Sequence, residues 1–331
     1  MPRTSARAMC IPILLSVTLL SGCSRVTEPV ISYRTTIDFG GVWGTSATDV
    51  YAYGLGGRIP DWEGVLMHYD GRQWTREVVG QTSITGMWHD AENRQFLVGF
   101  KPYDIGSLTR RTFDGSRWTE DTQHVSTELF GLWANSASDV FAVGNGRLYS
   151  LGAIMHFDGA QWTTQVDTLG MRHVWGSSGR DVFAVGEGIV HYDGAKWSQQ
   201  LDVHHFFGGV WGTSGTDVFA VGSGVWHYDG SQWVQLKSGG NGGILTGVWG
   251  SSSNNVFVVG YGGTILHFDG NTWTTQTSGT PQDLQGVWGS GPSDVYAVGY
   301  EGAIVHFNGN RWSAVDLTPV RFPSPNAPRR R

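Results

Sequence analysis

Six histidines, His68, His156, His191, His227, His267 and His306, stand at one recurring place in the chain, each followed by an aromatic residue and then Asp-Gly or Asn-Gly. Imidazoles in such number are candidate metal ligands. A metal ion, however, draws its donors to roughly 2 Å, and one histidine per repeat spreads the rings around a molecule. The spacing favours a half-buried histidine bonded within its own repeat. Asp49, Asp139, Asp181, Asp217 and Asp294 precede apolar strands, and Asp70, Asp114, Asp158, Asp193, Asp229 and Asp269 precede a glycine. Carboxylates so placed bond turn amides. Cys10 and Cys23 are the two cysteines, so the body of the chain holds no disulfide and no thiolate nucleophile.

Residues outside the repeated pattern are the better candidates for function. Glycoside hydrolysis needs two placed carboxylates, or a tyrosine nucleophile beside an arginine cluster. Asp61, Glu63, Asp104, Glu187 and Glu301, with Tyr103 and Tyr149, are the available groups. No two of them form a motif, and nothing resembles a phosphate-binding loop, a nucleophile elbow or a metal-binding helix. A non-enzyme without cofactor or metal is favoured. Arg58, Trp62 and Glu63 in one connection, Lys101 and Tyr103 in the next, Arg110 beyond it, and Arg147 and Tyr149 in the third give a run of cations and aromatics. Such a run suits an anionic ligand, a glycan or an acidic protein patch; solvated loops are the plainer reading. His204-His205-Phe206-Phe207 is a second candidate patch, and Trp226 reads as a core or channel-side residue.

The elements that must position these groups are set by the period. Gly-Val-Trp-Gly or a close variant places Trp at 43, 88, 133, 175, 211, 249 and 288, and a second Trp falls at 74, 118, 162, 197, 233, 273 and 312. One unit reads Gly247-Val248-Trp249-Gly250, then Val256-Phe257-Val258-Val259-Gly260, then Ile265-Leu266-His267-Phe268-Asp269-Gly270, then Trp273-Thr274-Thr275-Gln276. These are four short strands, A to D. Strand B is apolar at consecutive positions, as a strand covered on both faces must be, and the Asp-Gly between C and D marks a tight hairpin. Seven such units predict an all-β fold, a seven-bladed β-propeller of four-stranded antiparallel blades over residues 40–316. Repetition also assigns most tryptophans to packing between blades.

The spacing from the first Trp to the glycine ending strand B is 11 residues in every unit. From that glycine to the hairpin glycine it is 17, 16 and 15 residues in units 1 to 3, then 8, 8, 10 and 10. Only the B-C connection varies, so variation is confined to one face of the ring, where loops tolerate change and carry binding. In blade 2, Arg94 replaces the recurrent Asp, Arg110-Arg111 replace apolar residues and Thr112 replaces the histidine. How the ring closes is left open; residues 30–37 offer an additional strand.

The pattern resembles the tryptophan-rich WGSS, DVFAVG and HYDG repeats of bacterial secreted propellers, similar in style to the Asp-box and photosystem II assembly-factor types. The resemblance implies the fold. His267-Phe268-Asp269-Gly270-Asn271-Thr272-Trp273 is one residue shorter than an Asp-box, which weakens direct kinship with sialidases.

At the N-terminus, Arg3 and Arg7 precede an apolar run from Ile11 to Leu20, the shape of a secretory signal. Leu20-Ser21-Gly22-Cys23 resembles the bacterial lipobox, which implies cleavage after residue 22, acylation of Cys23 and a tether over 23–39. Ser24 is similar to outer-membrane sorting signals. Residues 317–331 end in Pro328-Arg329-Arg330-Arg331 and read as a disordered basic tail. Net charge is −6 with 22 Lys+Arg against 28 Asp+Glu, which argues against nucleic acid. The expectation is a monomeric, lipid-anchored envelope propeller, membrane-bound through its lipid alone. Its partner would be another envelope protein or an extracellular glycan, with a glycan-binding or sialidase-like propeller as the alternative.

Overall fold

The structure, a computed structural model, describes residues 37–58, 61–80, 83–90, 92, 94–100, 106–113, 117–146, 152–166, 170–238 and 243–317. They build seven blades of antiparallel strands. Blade 1 comprises Asp38–Ser46, Asp49–Arg58, Asp61–Tyr69 and Trp74–Val79, hydrogen-bonded in chain order as A-B-C-D. Blade 2 (Ser83–His89, Arg94–Phe100, Gly106–Phe113, Trp118–Val125) and blade 3 (Thr127–Ser136, Asp139–Gly146, Ala153–Phe157, Trp162–Val166) repeat it. So do blade 6 (Leu245–Ser252, Asn255–Gly260, Thr264–Phe268, Trp273–Thr277) and blade 7 (Leu284–Gly291, Asp294–Gly299, Ile304–Phe307, Trp312–Ala314).

Blades 4 and 5 run together as one six-stranded sheet. Asp181–Tyr192 supplies both B and C of blade 4: residues up to 186 pair with Met171–Ser178, and those from 189 pair with Trp197–Ser214. That long strand then continues into blade 5, where it pairs with Asp217–Gly222. Short connections, not a missing strand, cause the merger.

Strand B forms the core of each blade because both its faces are covered. Val140 to Val143, Val182 to Val185 and Val256 to Val259 are all buried. The second tryptophan of each blade reaches back to the preceding one: Trp197 meets Phe141 at 6.2 Å, Trp233 meets Phe183 at 6.1 Å and Trp312 meets Phe257 at 5.8 Å between ring centroids. The first tryptophan reaches forward, so that Trp133, Trp175, Trp211 and Trp249 cover Gly176, Gly212, Gly250 and Gly289 of the next blade. Each blade is gripped from both sides.

The repeated histidines are structural, and each bonds within its own blade. His68 pairs with Asp49 at 2.8 Å, His156 with Asp139 at 2.7 Å, His191 with Asp181 at 2.6 Å and His227 with Asp217 at 2.7 Å. His306 pairs with Asp294 and His267 with Asn255, both at 2.6 Å. The same Asp accepts a hydroxyl from strand A, from Thr45 at 2.5 Å onto Asp49, and from Ser177, Thr213 and Ser290 onto Asp181, Asp217 and Asp294. Strands A, B and C are thereby tied at one end. In the hairpins, Asp70, Asp158, Asp193, Asp229 and Asp269 each accept two backbone amides.

Blade 2 departs from this scheme. Tyr51 faces His68 in blade 1 and Phe141 faces His156 in blade 3, but the equivalent Phe96 faces Arg110, two residues short of Thr112. A slip of two keeps alternate side chains on their faces. Alternation along strand C therefore puts Arg111 at the inward place that Met67 and Met155 hold in blades 1 and 3, at 3% exposure, where Glu77 of blade 1 (2.5 Å) and Glu120 (2.9 Å) neutralise it and Trp118 lies 4.5 Å beneath.

Blade 7 has four strands of its own and closes on blade 1 by packing. Ile37, Phe39 and Val42 share a buried cluster with Tyr296, Val298 and Ile304. Ile37 lies outside the strands, and residues 30–36 lie outside the described residues.

Candidate functional site

Strand A of every blade runs down the centre of the ring, from the face that carries the B-C connections to the face that carries the A-B turns. The seven A strands enclose a cavity of about 760 Å³. Its wall includes all seven first tryptophans, Trp43, Trp88, Trp133, Trp175, Trp211, Trp249 and Trp288. Above them, six of the A strands carry a register irregularity at a glycine, at Gly41, Gly86, Gly131, Gly209, Gly247 and Gly286. Blade 4 has His173 there instead. His173 is exposed on the lumen, and the strand backbone packed around its ring lowers the imidazole. Tyr53, also on the wall, has its phenol pushed up by burial.

The rim of this cavity is apolar and open. Phe206, Ile244, Tyr261 and Tyr300 line it at 43%, 39%, 39% and 41% exposure, four of the seven large hydrophobic side chains exposed among the described residues. Scattered exposed apolar residues are ordinary; several on one concavity mark a binding surface. Arg172 rises between Phe130 and Phe206, with its guanidinium carbon 4.6 and 5.6 Å from the two ring centroids. Across the ring the rim is acidic. Asp38 accepts the Glu301 amide at 3.0 Å, Asp283 accepts the Gly262 amide at 2.7 Å, and Glu301 accepts from Gln282 at 2.9 Å. Tyr300 sits among these groups, its phenol raised by burial, then by Tyr261, Asp38 and Asp283, and lowered by Arg172.

The sequence candidates are only partly brought together. Trp62 and Glu63 stand near the tip of blade 1, where the long B-C connection is an extended hairpin pairing Gly57 with Trp62 and Arg58 with Asp61. Trp62 is half-buried. Glu63 is engaged by Arg76 of strand D and is not a free carboxylate. Arg110 is elsewhere: it faces Asp121 at 3.5 Å and lines a separate cleft of about 510 Å³ with Arg94, Ser136 and Ser138, beside an A-B turn. The side chain of Arg58 and all of Lys101, Tyr103, Arg147, Tyr149 and Cys23 lie outside the described residues. From the second patch, Phe206 reaches the rim while Phe207 is core and His205 packs on Trp226 at 5.0 Å. Trp226 joins the cluster between blades 4 and 5 and does not line the channel.

Sequence reasoning missed Arg172, Ile244, Tyr261 and Tyr300. The signal for the tyrosines was a large aromatic inside an otherwise glycine-rich turn, Gly260-Tyr261-Gly262-Gly263 and Gly299-Tyr300-Glu301-Gly302, with Glu301 in the left-handed region at φ 53°.

The sequence matches no protein-family model and no curated protein. Among solved structures it is similar to YCF48 bound to a D1 peptide, at a TM-score of 0.64 and 15% identity over 83% of this chain and 94% of that one. It is similar to Chaetomium thermophilum Sqt1 bound to the N-terminus of ribosomal protein L10, at 0.59 and 12% over 85% and 87%. It also resembles a Niastella koreensis GH74 enzyme, at 0.64 and 15% over 85% of this chain and 54% of that one. At these identities the likeness establishes the propeller fold.

Proposed function

We propose that this propeller is a non-catalytic scaffold that holds a segment of a partner protein at the mouth of its central channel. The observation that carries the reading is the grouping of Phe206, Ile244, Tyr261 and Tyr300 around one concave cavity. Aromatic side chains that are already rigid and half-desolvated are efficient anchors for a peptide. Two neighbours of the same fold hold peptide segments, the D1 peptide and the L10 N-terminus, and both support this choice over a glycan. The extended hairpin of blade 1, with Trp62 near its tip, borders the same face and would widen the contact. The lipobox-like Leu20-Ser21-Gly22-Cys23 supports a lipid-anchored scaffold of the cell envelope, of outer-membrane type, serving an envelope partner.

The test is capture of partners from cross-linked native envelopes with three chains: wild type, a Phe206→Ser/Tyr261→Ser/Tyr300→Ser variant, and one with residues 55–63 and 100–107 shortened to blade-4 length. A discrete protein retained by the wild type and lost from the rim variant, with the melting temperature held, supports the scaffold. Equal capture by the rim variant, or binding of sugars alone, overturns it.

A further inference from the structure

The chain leaves the ring beside the mouth. Strand D of blade 7 runs toward the B-C face, where the Val315 amide donates to the Ile304 carbonyl at 2.9 Å. Leu317 then packs on the cluster that contains Ile37, and the Ile37 carbonyl accepts the Gly302 amide of the turn bearing Tyr300 at 2.7 Å. The described residues thus end next to Tyr300, Asp38 and Glu301.

The C-terminal segment is complementary in composition to that rim. Residues 318–331 hold Pro319, Pro323, Pro325 and Pro328, one aromatic, Phe322, and four cations, Arg321, Arg329, Arg330 and Arg331, with no acid. Asp38, Asp283 and Glu301 form no ion pair among the described residues. Proline-rich segments favour an extended helix and dock on aromatic-lined grooves, and Tyr261 and Tyr300 provide such a surface. At about 3.1 Å per residue, Phe322 reaches roughly 15 Å from Leu317 and Arg329 roughly 37 Å, enough to cross the mouth.

We propose that residues 318–331 occupy the channel mouth in cis, as a competitor for the partner segment; this rests on the mouth being the partner site. A short connection gives an effective concentration of about millimolar. A tail with a free-peptide Kd of about 100 μM would therefore fill the site most of the time, and a tighter partner would displace it.

The probe is a fluorescein-labelled synthetic peptide of residues 318–331, tracked by anisotropy. The expected result is binding to a chain ending at Leu317, at least tenfold weaker binding to the full chain, and at least fivefold loss in Tyr300→Ala or Asp283→Asn/Glu301→Gln. In the full chain, Arg321→Glu/Arg329→Glu/Arg330→Glu should restore binding of the added peptide, which tests the idea even where the shortened chain does not fold. Equal affinity for both folded chains, or no binding to any variant with an intact melting transition, overturns the inference. Envelope capture separates the two readings: a partner that binds both chains equally leaves the scaffold standing without the competitor.

Discussion

The indole of Trp288 in blade 7 lies across Gly44 in blade 1, where a Cβ would sit 2.7 Å from the indole Cη2. This contact helps seal the two chain ends into a ring. The same seat recurs at Gly176, Gly212, Gly250 and Gly289; blade 3 has Ala134 there, and blade 2 has His89, whose ring meets Trp43 edge-on at 6.1 Å. Gly44→Val should therefore destabilise by about 1–3 kcal/mol, its side chain overpacked against Trp288 and against the Asp49 carbonyl oxygen, 2.5 Å from the Cβ position. Gly291→Ala, where nothing lies within 4 Å, should be close to neutral. Urea unfolding monitored by tryptophan fluorescence measures both; equal stabilities would show that Gly44 is not a close-packed seat.

Asp217 accepts from Thr213 and pairs with His227 at 2.7 Å, linking three strands of blade 5. Asp217→Ala leaves a half-buried imidazole and a hydroxyl without their acceptor and should cost about 1–3 kcal/mol. Asp217→Asn, which imitates Asn255 opposite His267 in blade 6, should recover most of the loss. Recovery by Asn distinguishes a hydrogen bond from a required charge.

The propeller was legible because Trp, Gly, His and Asp return at fixed spacings, and each return reflects one contact repeated by every blade. The mouth was not. Phe206, Ile244, Tyr261 and Tyr300 fall at different points of the B-C and D-A connections, and only the ring brings them together. Loop length pointed to blades 1 to 3, yet in blade 1 the extra residues continue a regular hairpin through Gly57 and Trp62. Arg110 looked like part of a basic site because Arg110-Arg111 replace apolar residues in blade 2, but the two-residue slip places it opposite Phe96, against a different cleft.

The inward face of strand C makes a specific demand on Arg111, which is 3% exposed between Glu77 and Glu120. Removing both acids leaves a buried charge uncompensated, so Glu77→Ala/Glu120→Ala should lose about 3–5 kcal/mol. Arg111→Met added to that pair should restore most of the stability, because a buried ion pair exchanged for apolar packing is often neutral. Failure of Met to rescue would show that the arginine specifies the register of strand C rather than merely balancing charge.

The hairpin carboxylates set how the ring responds to acid. Ser231 Oγ and the amides of Gln232 and Ser231 hold Asp229 at about 2, and Asp70, Asp158, Asp193 and Asp269 are also lowered, chiefly by backbone amides. An unfolded Asp titrates near 3.9, so between that value and 2 the unfolded chain binds more protons at Asp229 than the folded one. Its contribution is fully present above about pH 4 and is lost as pH falls toward 2. His267 acts in a higher range. Burial lowers its imidazole, so the folded state resists its protonation and stability falls as pH drops from the unfolded histidine value near 6.5. The melting temperature should accordingly decline in two stages on acidification, and His267→Gln should flatten the upper one without moving the lower.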